Sequence, residues 1–169
     1  MKRNLGALIL LSLMLVSFAA IGGTLTPSTG GESIPADSDG GSYTTLDGPV
    51  YEEENPGEVG EGSIVLELPA EFEWDTSSLP QARVEVLGGG GQNINRVNDG
   101  GTFVASSITP NQVTFDINKT SVGKRRNRLI IEGLRVRPVA GASGASGEIV
   151  HVGDSTIDGV QVGTTSWGT

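Results

Sequence analysis

His151 is the only histidine and the chain has no cysteine, so a metal cluster built on histidine or thiolate ligands is impossible, and so is a cysteine nucleophile. A Ser-His-Asp triad would rest on His151 alone, and no G-x-S-x-G elbow accompanies it. In EIVHV the histidine alternates with Val150 and Val152, which predicts a strand side chain turned to solvent. Carboxylates are abundant at Glu52, Glu53, Glu54, Glu58 and Glu61. A general acid/base pair needs two of them held at a fixed distance in a cleft, and this run reads as a solvated loop. The expectation is a protein that is not an enzyme.

Calcium suits these residue types better, because hard oxygen ligands in a loop are what it takes. Asp37-Ser38-Asp39-Gly40-Gly41 begins a D-x-D-G arrangement, which makes Asp37 and Asp39 candidate ligands, but the downstream Glu of an EF-hand loop is absent. The Glu52–Glu61 run is the second candidate, and no other cofactor is called for. Gly88–Gly91 lacks the Lys-Ser/Thr and the helix of a phosphate-binding loop and reads as a flexible connection. Asn118-Lys119-Thr120 is an N-x-T sequon that would accept an N-linked glycan on an exported chain.

The formal charge is −9, and it is unevenly spread. From Glu32 to Asp75 there are thirteen acidic residues and no basic one, whereas Lys119, Lys124, Arg125, Arg126, Arg128, Arg135 and Arg137 crowd the second half. An acidic surface repels phosphate backbones, so nucleic acid is excluded as a partner class. Two arrangements follow from the asymmetry. The halves neutralise each other within one fold, or the acidic end of one copy meets Arg125, Arg126 and Arg128 of the next, an open head-to-tail association.

These residues must be positioned by what surrounds them. MKRNLGALILLSLMLVSFAAIGG has a basic start and an apolar run from Leu5 to about Ile21 before small residues, the layout of a secretory signal over residues 1–22. Cleavage after Ala19 or after Gly22 fits. With no cysteine near the boundary there is no lipid attachment, so contact with a membrane is through this segment alone. KRNLGALILL also resembles the start of pilin-like filament subunits, in which processing precedes the apolar helix and the helix is kept. It lacks the early acidic residue of such helices.

Residues 23–42, rich in Thr, Ser, Pro, Gly and Asp, have no apolar period and read as a flexible linker. From 43 to 169 the pattern is short strands and turns. YTTLDGPVYEEE is a first strand broken by Asp47-Gly48-Pro49. In GSIVLELPAEFEWD the apolar residues Ile64, Leu66, Leu68, Phe72 and Trp74 alternate with acidic ones, and Pro69 marks an edge, a bulge or a crossing between sheets. ARVEVL, QVTFDI, LIIEGLRVRPV with a phase shift at Gly133 read as a bulge, EIVHV and TIDGVQV follow. This makes roughly seven or eight strands of an all-β, antiparallel sandwich, with Trp74 and Phe115 in its core.

The series LDGPVYEE, GEGSIVLELPAEFEWDTS, a V-E-V strand, TFDI and LIIEGLRVRP resembles immunoglobulin-like β-sandwich units of secreted and cell-surface proteins of bacteria and archaea. It covers about residues 44–140. The resemblance implies a structural or adhesive module, with other surface proteins or copies of itself as partners, and no catalytic residue. Such units commonly come several to a chain, whereas one is read here. A secreted or cell-surface protein is therefore expected. The alternatives are a pilin-like subunit that retains its helix and a carbohydrate-binding accessory module that takes glycans on an exposed Trp74.

Overall fold

The computed structural model describes residues 22–31, 34, 41–141 and 146–169. Within them the protein is all-β and antiparallel. One sheet runs in the order β1 (Thr24–Thr26), β3 (Val50–Glu52), β12 (Arg126–Glu132), β6 (Gln81–Gly88), β8 (Gly101–Val104). A second runs β15 (Ser166–Gly168), β14 (Ile149–His151), β4 (Gly62–Glu67), β10 (Gln112–Ile117), β9 (Ser107–Ile108). A three-stranded sheet joins β2 (Thr44–Thr45), β13 (Arg135–Pro138) and β5 (Phe72–Trp74), and β7 (Gly91–Gln92) pairs with β11 (Val122–Gly123).

The two large sheets contribute their alternate residues to one core. Tyr51, Ala82, Val84, Leu129 and Ile131 come from the first sheet, and Ile64, Leu66, Val113, Phe115 and Ile117 from the second. This two-layer arrangement agrees with a β-sandwich. Trp74 and Phe115 are buried as the alternation predicts, and Trp167 is buried as well, against the imidazole of His151 at 5.9 Å between ring centres. Neither indole N–H of the two tryptophans has a hydrogen-bond partner.

Several expectations change. The linker is shorter than expected, because Thr24–Thr26 pairs with β3, and Ser28 and Thr29 form bridges to Gly168 and Asp47. Local composition gives no sign of these contacts, since each is made with residues far along the chain. Gly133, at φ +80, does not carry a bulge. It is the corner at which the chain leaves the first large sheet and enters the three-stranded one. At Pro69 the chain likewise passes from β4 to a different sheet, one of the readings its missing N–H suggested. TIDGVQV is not a strand: Asp158-Gly159 turns the chain, with Gly159 at φ +76 and the Val160 N–H donating to the Ile157 carbonyl at 3.0 Å.

The sandwich has two unlike sides. On one, the outermost strands are stitched together: Ser28 bridges Gly168, and its N–H donates to the Trp167 carbonyl at 2.7 Å. On the other, β8 and β9 are the outermost strands of their sheets, and the chain steps from one to the other through Ala105 and Ser106 without any further strand covering them among the described residues.

Candidate functional site

A concave feature among the described residues lies on this open side. It is a notch of about 560 Å³, walled by Thr102 to Ser106 on the β8 side and by Asn95, Asp116 and Asn118 opposite. Phe103 leans inward to meet Phe115 edge to face, ring centres 6.4 Å apart.

The far wall is built by an unusual backbone. Asn95 and Arg96 are the two non-glycine residues with positive φ among the described residues, at 49° and 59°. Asparagine tolerates this left-handed conformation better than most residues, and local strain of this kind persists only where the surroundings hold it. Here they do. β10 is covered by β9 only near its start, so its last residues would present bare backbone. The Asn95 carboxamide takes the place of a neighbouring strand, donating to the Asp116 carbonyl at 2.8 Å and accepting from the N–H groups of Asn118 and Lys119 at 2.7 and 3.1 Å. Arg96 completes the fastening by donating to the carbonyls of Asn93 and Thr120. The Asn118 side chain is exposed on the rim.

Behind this wall lies a buried carboxylate. Glu53 accepts from the Ser121 hydroxyl and from the Asn127 N–H at 2.8 Å, and Ser121 in turn accepts from the Gly57 N–H at 2.7 Å. Burial pushes the Glu53 carboxyl up, partly offset by those donors. Asn127, also buried, accepts from the Ile94 N–H at 3.0 Å. One hydrogen-bonded hub thus pins the 53–59 loop, the short 3-10 turn Ile94–Arg96 and the 118–123 loop at one end of the sandwich.

This corrects the reading of the glutamate run as a solvated loop. Glu53 and Glu58 are buried, and Glu58 accepts from the Glu54 N–H at 2.7 Å and the Asn55 carboxamide at 2.9 Å. These carboxylates hold backbone rather than converging, and no group of three or more histidine, cysteine or acidic residues suited to a metal ion occurs among the described residues. Asp37 and Asp39 lie outside the described residues, as does the 1–21 segment, and no helix among those described is long and apolar enough to cross a membrane.

His151 is buried rather than turned to solvent. Every residue of IVHV is apolar or amphipathic, so alternation alone cannot say which parity faces in, and Ile149 and His151 are the buried pair of β14. Nε2 donates to the Ser155 carbonyl at 3.0 Å, and Nδ1 accepts from the N–H groups of Val65 and Gly153 at 3.2 Å each. The ring thereby fastens the turn after β14 onto β4, with no hydroxyl nucleophile among its bonds.

The basic residues are met within the chain. Arg128 reaches Glu52 at 2.6 Å and Glu85 at 3.2 Å, Arg126 reaches Glu54 at 3.7 Å, and Lys119 reaches Glu61 at 3.3 Å. Arg137 bonds Glu73 at 2.6 Å and lies over the Tyr43 ring at 4.4 Å, and Arg135 pairs with Asp75. Arg125 reaches toward the Gly91 carbonyl at 3.5 Å. Much of the basic half is therefore paired with the acidic half inside one fold, while neither Lys124 nor Arg125 takes part in an ion pair among the described residues. No protein-family profile, characterised protein or solved structure matches the chain.

Proposed function

We propose that the protein is an exported, non-enzymatic module with a structural or adhesive role at the cell surface, built as an immunoglobulin-like β-sandwich. The observation that carries this reading is the division of labour on the surface. Charged side chains are largely spent on partners within the fold, and the concave feature, whose β8 wall from Thr102 to Ser106 carries no charge, lies at an open sheet edge, where proteins take up other chains. The apolar segment before the sandwich supplies the means of export.

The test is the N-terminal peptide and intact mass of the protein recovered from its native cells, together with its digestion by protease added to intact cells. A mature start near Ala20 or Gly23 and digestion from outside are expected. Recovery from the cytoplasm with Met1 and the whole apolar run in place would overturn the reading. A start near Leu5 or Gly6 would replace it with the pilin-like subunit.

A glycan-binding role keeps one specific support. It does not come from Trp74, which is buried, but from the notch, where hydroxyl and carboxamide groups of Thr102, Ser106 and Asn118 stand beside Phe103.

A further inference from the structure

The first large sheet ends at β8, and β6 satisfies only one side of that strand. Ala82 is opposite Phe103, the Ala105 N–H donates to the Pro80 carbonyl at 2.8 Å, and the Gly100 N–H donates to the Val84 carbonyl at 2.8 Å. In an antiparallel ladder the hydrogen-bonding direction alternates, so the N–H and C=O groups of Thr102 and Val104 are directed away from β6. No strand among the described residues meets them. Such an edge is a template for another chain, and proteins usually blunt it with lysine, proline, a bulge or a covering segment. Among the described residues none of these is present at β8. From Gly100 to Phe115 the chain carries no charged residue, and Pro110 lies beyond both edge strands. Val104 is 60% exposed, the highest among the exposed large hydrophobic side chains of the described residues.

We propose that β8 is a self-association edge: it pairs antiparallel with β8 of a second copy about a two-fold axis at Phe103, joining two five-stranded sheets into one continuous sheet. In that register Thr102 of each copy lies opposite Val104 of the other. All four outward backbone groups of each strand are satisfied, and two β-branched side chains meet across the junction. The contact is isologous and closes at two copies, unlike an open head-to-tail chain.

Charge argues for a copy rather than a basic partner. A neutral edge gives a cationic chain no electrostatic hold, whereas for two molecules of charge −9 a stretch that carries no charge adds no repulsion of its own to their approach. The edge is short, so the pairing is weak in dilute solution and gains from copies held side by side, where the effective concentration is high. The inference goes beyond the proposed surface role and does not depend on it: a cytoplasmic location would defeat that role and leave the pairing intact.

Sedimentation equilibrium of the mature chain, from micromolar to about 1 mM, tests it. A monomer–dimer equilibrium that holds or tightens in 1 M salt is expected. Val104→Lys, which puts a charge on the edge, and Thr102→Pro, which removes an outward N–H, should each raise the dimer Kd by about tenfold or more while the circular dichroism of the monomer is unchanged. Val162→Lys, at a valine 50% exposed near His151 and Thr165, should leave the Kd within about twofold. A chain that stays monomeric throughout overturns the proposal. So does a dimer that both edge variants leave unchanged, or one that dissolves in salt and is lost on exchanging Arg125 and Arg126 for glutamate.

Discussion

Glu53 shows how one side chain in an acidic run comes to hold three segments together. Its substitution by alanine leaves the Ser121 hydroxyl and the Asn127 N–H buried without an acceptor, a loss of about 2–4 kcal/mol expected in urea unfolding. The pH dependence has a definite sign. A carboxyl raised above its unfolded value contributes stability that is complete below the ordinary glutamate range and is lost as pH rises through the raised value. Glu53→Gln, which mimics the protonated form, should therefore gain on the parent between pH 4 and pH 7, measured by chemical denaturation at both. Glu132, held below its usual range chiefly by its bond from Arg83, contributes in the opposite sense and is lost as pH falls. The position of Glu53 was legible in part. It shares the parity of Tyr51, so carrying the alternation of β3 one step further puts it inside. The partners it meets there, 68 and 74 residues away, were not.

At the scale of elements, the outer face of the first large sheet carries a charge ladder. Glu52 of β3, Arg128 of β12 and Glu85 and Arg83 of β6 are linked in series, and Arg83 continues to Glu132 at 2.8 Å. These side chains are about a third exposed, so the ladder sets register and neutralises charge more than it stabilises. Arg128→Ala should cost under about 1 kcal/mol, whereas Leu129→Ala, the next residue of the same strand with its side chain in the core, should cost about 2–5 kcal/mol. Denaturant titration of the two variants checks the contrast. The long strands were readable because each has one apolar face. QVTFDI and FEW have the bounds the alternation gives them. The edge strands β1, β8, β9 and β15 were not, since two to four residues leave no period to detect and only a neighbouring strand makes them strands.

For the whole molecule, the sequence asymmetry of charge is in part met internally, because the basic β12 and β13 run beside the acidic β3 and β5. No local pattern contains that pairing. Sheet order decides it. The same holds for the two sides of the sandwich, one stitched and one open, which no composition statistic distinguishes. Gly168 makes the stitch possible by its lack of a side chain, as a Cβ there would drive into the Ser28 hydroxyl. Gly168→Val is expected to speed hydrogen exchange at Ser28 and through β1 and β15 while the amides of β4, β6, β10 and β12 keep their protection.

The stitch also has a temporal meaning. Residues 28 and 168 meet across nearly the whole described chain, and contacts of such sequence separation are slow to form because a large loop must close first. A ribosome that has completed β1 to β12 still withholds the segment that locks the first strand in place. Under the export proposed above, this delay would be useful: the polypeptide would stay pliable during passage and fasten itself only once Trp167 and Gly168 had followed.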